Sequence, residues 1–271
     1  MTHDRRDNPQ YADDRNLSAR LGVHARFSTN PHGWMAWVFD QFDLPPDASI
    51  LEVGCGTGEL WATNWARVPA RWRLTLTDGS AGMLDAARKA LAGREPSPAF
   101  AVLDACAIDP DAGPFDAVIA DHMLYHVADL DAALAGIRRV LKAGGVLYAT
   151  TNGPDHITEV RDLVRPFAPD LPLVRAVHAR AFGLHNGAAL LGRRFDSVER
   201  RLYDDALRVT EAEPLVDYIL SGIGVREALD EAAVEYLRRT IEERIVADGA
   251  VHVTKSAGIF VAHKALPGGC R

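Results

Sequence analysis

Three carboxylates recur at equal steps through the first half of the chain: Glu52, Asp78 and Asp104 are 26 residues apart each time. Directly after the first stand glycines at alternate positions, Gly54, Gly56 and Gly58. Glycine has no Cβ to hold a ligand off the main chain and tolerates positive φ, so this run marks a place where backbone can approach a bound group closely. A carboxylate at its head, Glu52, disfavours a phosphate and suits a cationic group. Asp78 follows Gly54 by 24 residues, near the position of the acid that accepts both ribose hydroxyls in nucleotide-binding βαβ units. Its alternative is to cap a helix, a task for which Ser80 is also available. A second concentration of reactive side chains is Asp121, His122 and His126, with His156 further on. A neutral imidazole can take a proton near pH 7.

These residues need elements to deliver them to one place. Ser49–Val53, Trp72–Thr77, Phe100–Leu103 and Phe115–Asp121 are short and apolar or alternating, as buried strands are, and the acids fall at or just past their ends. Leu60, Trp61, Trp65 and Val68 have helical spacing, as do Met83, Leu84, Ala87 and Leu91. Asp129 is placed to cap a helix with the buried stripe Leu130, Leu134, Ile137 and Leu141, closed by Lys142 and Gly144-Gly145; Val146–Thr151 then reads as a fifth strand. Strands alternating with helices predict an α/β, doubly wound fold whose sheet presents the acids at one edge. Upstream, Leu17, Leu21, His24 and Phe27 share one helical face, and Trp34, Trp37, Val38 and Phe42 share another before Pro45-Pro46. Downstream, His156 to Leu163 suggests a short helix, 170–195 has no period, and Val198–Val209 suggests a sixth strand. Pro214–Ser221 and Asp230–Val246 look helical, and Gly258–His263 is a last strand. Three segments are expected: 1–45 as an N-terminal cap, 46–153 as the core, and 154–265 as insertions (154–195 and 211–250) with the last two strands.

The stretch Glu52-Val53-Gly54-Cys55-Gly56-Thr57-Gly58 resembles the first motif of class I S-adenosylmethionine (SAM) dependent methyltransferases. It is most similar to the small-molecule group that includes the ubiquinone and menaquinone biosynthesis enzymes. The run from Asp129 to Gly145, Asp-Leu-x-x-Ala-Leu-x-x-Ile-Arg-Arg-Val-Leu-Lys-x-Gly-Gly, resembles a second signature of that group, and Asp121 to Val127 its block after strand four. The resemblance implies a Rossmann-like, seven-stranded mixed sheet with one antiparallel strand, an N-terminal helical cap and helical insertions on the substrate side. It implies SAM as cofactor, held by Glu52, Gly54, Cys55, Gly56, Gly58, Asp78, Gly79, Ser80, Met83, Asp104, Ala105, Cys106, Asp121 and His122. In that scheme Asp104 accepts the adenine amine and the backbone of Ala105 meets the ring. The implied activity is methyl transfer to an oxygen, nitrogen or carbon of a small molecule. His126 is the first candidate for general base or substrate orienter, with His122 and His156 behind it. Tyr11, His24, Glu159 and His185 are further candidates for substrate contact.

Other classes are weighed on the same residues. A SAM-binding module without catalysis would keep the glycine loop, so turnover must separate the two. A nicotinamide dehydrogenase is disfavoured because Glu59 and Leu60 stand where Gly-x-Gly-x-x-Gly would need its last step. The segment Asp121-His122-Met123-Leu124 departs from the Asn/Asp-Pro-Pro-Tyr pattern of DNA amino-methyltransferases. With a net charge of −7 over 271 residues, it argues against a nucleic-acid partner. The three cysteines, Cys55, Cys106 and Cys270, have no metal-like spacing, so no metal is expected. The N-terminus does not read as a signal peptide and no apolar run reaches the ~20 residues of a membrane span, so a cytoplasmic location without membrane attachment is expected.

Overall fold

The computed structural model describes residues 22–266; Tyr11 and Cys270 lie outside them. Seven strands form one sheet: β1 (Ser49–Val53), β2 (Arg73–Asp78), β3 (Ala99–Val102), β4 (Phe115–Ala120), β5 (Leu141–Asn152), β6 (Ser197–Val209) and β7 (Val251–His263), in the spatial order β3-β2-β1-β4-β5-β7-β6. Strands β1 to β5 pair in parallel, and β7 runs antiparallel to β5, from Val146 opposite His263 to Asn152 opposite Ala257. The expected mixed seven-stranded α/β sheet is therefore present. From β1 the chain steps outward to β2 and β3, then returns to place β4 on the other side of β1. That reversal opens a crevice at the carboxyl ends of β1 and β4, the position where open α/β sheets bind ligands.

The strand residues sort by parity into two cores. Ile50, Leu74, Leu76, Ala117, Ile119 and Tyr148 pack with Leu60, Trp61, Leu84 and Ala87. Leu51, Val53, Val118, Ala120, Leu147 and Ala149 pack with Ala133, Leu134, Ile137 and Phe260. Successive side chains of a strand point to opposite faces, so a strand covered on both sides must be apolar at every position. The helices on these faces are α1 (Trp34–Asp40), α2 (Glu59–Asn64), α3 (Ala81–Ala90) and α4 (Leu130–Val140). Ser80 caps α3 by accepting from Met83 N, and Asp129 caps α4 by accepting from Ala132 N at 2.9 Å.

Gly144-Gly145 does not close α4 as expected. The helix ends at Val140, and Leu141 already pairs with Phe115 as the start of β5. The glycines instead carry a register shift between the pairs at Phe115 and Ala117, with Gly144 at φ +77° and its N–H on Lys264 O. Lys142 lies in the strand and bonds both carboxylate oxygens of Asp116 at 2.8 Å. Competition from β4 and β7 for hydrogen bonds decides the boundary. The last strand likewise begins at Val251 rather than Gly258.

The described residues divide into two compact units. One contains residues 34–153, 178–203 and 257–266, and so takes in the Trp34–Asp40 helix. The other contains residues 22–33, 154–177 and 204–256. In this second unit, α5 (Thr158–Val164) contributes Val160, Leu163 and Val164 to a core with Leu207, Val209, Leu215, Val216, Ile219, Leu237, Ile241 and Val253. The Asp205 side chain is fully buried, pairs with Lys255, and accepts from Ser28 Oγ at 2.6 Å and Asn30 N at 3.0 Å. This ties residues 28–30 to the strands of that unit. Among the described residues no helix is long and apolar enough to cross a membrane.

Candidate active site

The glycine loop leaves the end of β1 with Gly54 at φ +72° and Gly56 at φ +54°. A Cβ on Gly54 would stand 2.8 Å from Cβ of Met123, so the loop after β4 packs directly against this backbone. A Cβ on Gly56 would meet nothing within 4 Å, so the main chain there faces open space. Gly56 N donates to Asp78 Oδ2 at 3.0 Å and Ser80 N to Asp78 Oδ1 at 2.8 Å. Asp78 at the end of β2 therefore holds the glycine loop, and each oxygen keeps a lone pair for a further donor. Cys55 N donates to Thr77 O at 2.8 Å, a second strap across the same strand ends.

Glu52 is buried, 2 % exposed, and accepts from Trp61 Nε1 at 2.6 Å. Burial pushes its carboxyl up to about 8, Trp61 opposes this, and Asp121 and Asp78 push it further. Glu59, which opens α2, is also raised, by burial and then by Asp121. The Cys55 thiol is raised by burial and by Glu52 and Asp78, which leaves it a buried and unreactive neighbour. A set of carboxyls raised by burial and by one another is short of positive charge, which a cationic ligand would supply.

Asp121 follows β4 and accepts from Thr150 Oγ1, while the same hydroxyl oxygen accepts from His122 N at 2.8 Å. His122 takes φ +50°, so the chain turns sharply here and leads into Leu124–His126. Asp104 caps the turn after β3 by accepting from Cys106 N at 2.9 Å, with Ala105 buried beneath it. Met83 lies in the first turn of α3 and is partly buried. Glu52, the glycine loop, Asp78 to Met83, Asp104 to Cys106, and Asp121 to His126 thus belong to one compact unit at neighbouring strand ends.

Of the other sequence candidates, His185 is in this unit and exposed. His24, His156 and Glu159 belong to the other unit. There His24 packs edge-on against Tyr218 at 5.7 Å, and His156 Nδ1 accepts from Ser256 N at 3.2 Å. Glu159 accepts from Thr254 N at 2.8 Å and from its hydroxyl at 2.6 Å. Burial raises its carboxyl, but the Thr254 bonds outweigh this and hold it below the ordinary value. These contacts serve α5 and the strand beside it.

Three residues that the sequence reading did not select touch these candidates. Trp61 reads as one more apolar position of α2, yet its indole N–H meets Glu52. Thr150, inside the fifth strand, accepts from His122 N and donates to Asp121. His178 lies in a stretch without periodicity and carries no sequence signal, yet its ring is 4.6 Å from that of His126.

Comparison with known proteins agrees with this geometry. Residues 50–145 match a family model described as a methyltransferase domain. Malonyl-[acyl-carrier protein] O-methyltransferase of Magnetococcus marinus is 32% identical over 167 residues, which span 58% of this chain and 60% of that protein. The chain therefore matches less than two thirds of that relative's length. Two solved structures share the fold. Phosphoethanolamine N-methyltransferase 2 of Haemonchus contortus, crystallised with SAM, has a TM-score of 0.57 at 21% identity over 96% of this chain and 59% of its own. A candidate methyltransferase of Bacillus halodurans has a TM-score of 0.58 at 16% identity over 85% of this chain and 98% of its own.

Proposed function

We infer that this chain, whose residues 50–145 match a methyltransferase-domain model, transfers a methyl group from SAM to a small molecule. The observation that carries the reading is the buried, raised Glu52 at the head of a glycine loop whose Gly56 faces open space. A sulfonium and an ammonium are the cations such a set of acids would take. Bound SAM supplies an electrophilic methyl whose leaving group is a neutral thioether.

The residues divide the work. Glu52, Glu59 and Asp121 supply negative charge toward the methionine end, and Gly54 and Gly56 let the main chain come close. Asp78 accepts from the ribose hydroxyls while its bonds to Gly56 and Ser80 hold it in place. Asp104 accepts the adenine amine. His126 and His122 flank the acceptor side, where alignment of the nucleophile supplies most of the rate and an imidazole takes the departing proton. The acceptor is a small molecule and not a nucleic acid. The Magnetococcus marinus relative is an O-methyltransferase of malonyl-[acyl-carrier protein], which supports oxygen as one acceptor.

SAM with an isotopically labelled methyl, incubated with the full chain and a metabolite extract, tests this reading by mass spectrometry. The expected result is a labelled small molecule together with S-adenosylhomocysteine. Tight SAM binding with no labelled product from any extract would favour a silent binder, and no SAM binding would end the reading.

A further inference from the structure

Helix α5 carries a charge that the fold has closed in. Arg161 is only 8 % exposed, on the same helix as the buried Val160, Leu163 and Val164. The chain before the helix folds back over it. Ile157 takes φ +52°, a strained conformation for a β-branched residue, and donates its N–H to Thr254 O at 2.8 Å. This turn brings two main-chain carbonyls to the start of α5. Pro154 O accepts from Arg161 Nη2 at 2.6 Å, and Asp155 O accepts from Thr158 Oγ1 at 2.8 Å. Thr158 Oγ1 in turn accepts from Arg161 Nη2 at 2.7 Å. Nη2 is thereby satisfied. Nε is buried without an acceptor, and among the described residues no carboxylate pairs with this guanidinium. The acids nearby in the chain are engaged or turned outward: Glu159 bonds Thr254, Asp162 pairs with Arg165 at 2.8 Å, and Asp155 is exposed.

We propose that Arg161 is the charged centre of a binding site for a small molecule bearing a carboxylate, a site that does not depend on the SAM reading. A guanidinium keeps its proton at every working pH, so this charge cannot be shed. A buried charge is costly unless an opposite charge and hydrogen bonds meet it. The Pro154 carbonyl and the Thr158 hydroxyl supply hydrogen bonds but no charge, and they leave the hydrogens of Nε and Nη1 unmet. An oxyanion supplies both missing parts, acceptor oxygens and negative charge, through a charge-assisted bond stronger than a neutral one. The charge available selects the kind of oxyanion. Arg165, the neighbouring cation in the chain, is held by Asp162, so Arg161 offers its charge alone. A single positive charge matches a carboxylate, whereas a phosphate group near pH 7 carries close to two negative charges. Access runs through the loop. Pro154, whose carbonyl holds Nη2, is itself exposed, so one residue separates the guanidinium from solvent on that side.

The test is an NMR titration of the full wild-type chain carrying isotopically labelled arginine. It follows the Nε–H signal of Arg161, assigned through its own bonds, so the result does not depend on a variant folding. The probes are sodium acetate, sodium phosphate, sodium chloride at matched ionic strength, and acetamide, which has the shape of acetate without its charge. The expected result is a saturable shift of that signal with acetate, a weaker response to phosphate, and none with chloride or acetamide. Arg161→Lys keeps a positive charge but lacks Nε. The rise in its Tm with acetate, read by mass action, should report an affinity about tenfold or more below wild type. No saturable shift, or an equal shift with chloride or acetamide, would mean that Arg161 only pins the loop, and the proposal would fall. Tighter binding of phosphate, or wild-type acetate affinity in Arg161→Lys, would overturn it as well. SAM affinity plays no part in any of these outcomes, so failure here leaves the methyl-transfer reading standing.

Discussion

Replacing Glu52 by glutamine should make the unliganded protein more stable, increasingly so as pH rises. The Glu52 carboxyl is buried and its pKa is raised from 4.5 to about 8. In the unfolded chain it ionises at the ordinary value, so between these limits the native state holds a proton that the unfolded state has lost. The contribution to stability is fully present below pH 4.5 and is lost as pH rises toward 8. At about 1.4 kcal/mol per pH unit the loss over the whole window comes to about 5 kcal/mol. Glutamine does not titrate, and its carbonyl oxygen can still accept from Trp61. The difference in unfolding free energy between E52Q and wild type should therefore widen by about 3 kcal/mol between pH 5 and pH 7. Urea unfolding of both proteins at several pH values reads this directly, and groups common to both cancel. Parallel stability curves would mean that Glu52 is already ionised, and the electrostatic case for a cation site would fall with it. The same proton links stability to binding. A carboxyl with that pKa is mostly protonated at pH 7, so a cation that ionises it releases close to one proton per SAM bound, by about the protonated fraction. Calorimetry in two buffers of different ionisation enthalpy should report that release in the wild type and none in E52Q.

Asp78→Ala should weaken SAM binding by about 1–3 kcal/mol, the penalty for unpaired ribose hydroxyls, and unchanged affinity in calorimetry would remove Asp78 from the site. Gly54→Ala forces a left-handed φ on a residue with a Cβ that stands 2.8 Å from Cβ of Met123. A loss of about 2–4 kcal/mol in stability is expected from strain and overpacking together. Met123→Ala in the same chain should recover only the contact part, and full recovery in thermal unfolding would contradict the strain argument. Asp205→Asn should destabilise by about 3–5 kcal/mol, because it strips the charge from a buried ion pair. Burial raises Asp205, but bonds from Lys255, Ser28 and Asn30 outweigh it and hold the carboxyl below its ordinary value. Its contribution is present above pH 3.8 and disappears as pH falls through the lower folded value. The Asp205→Asn protein should therefore lose less stability than wild type on acidification, and equal losses in urea titrations would refute this.

The amino-acid sequence determined the layout of the proposed cofactor side. Glu52, the alternate glycines, Asp78 and Asp104 follow apolar strands at a fixed interval, and in a parallel sheet equal βα units bring strand ends to one edge. Local chemistry suffices there: an apolar run buries itself, a glycine turn follows, and an acid sits at the end. Helix boundaries were less legible where two elements compete. Gly144-Gly145 reads as a helix stop, yet β4 and Lys264 draw these residues into β5. The proposed acceptor side was decided by tertiary structure. His156 and Glu159 look like site residues from their place after β5, but they bond Ser256 and Thr254 in the other unit. His178 looks like nothing in its aperiodic segment, yet Thr151 and Asn152 fasten that segment so that its ring meets His126. Contacts between residues far apart in the chain leave no period in the sequence, because they depend on where a loop is anchored rather than on what repeats along it. The same holds for the protonation of Glu52: its identity is written in the chain, but its burial beneath Trp61 and beside Asp121 exists only once the strands have been assembled.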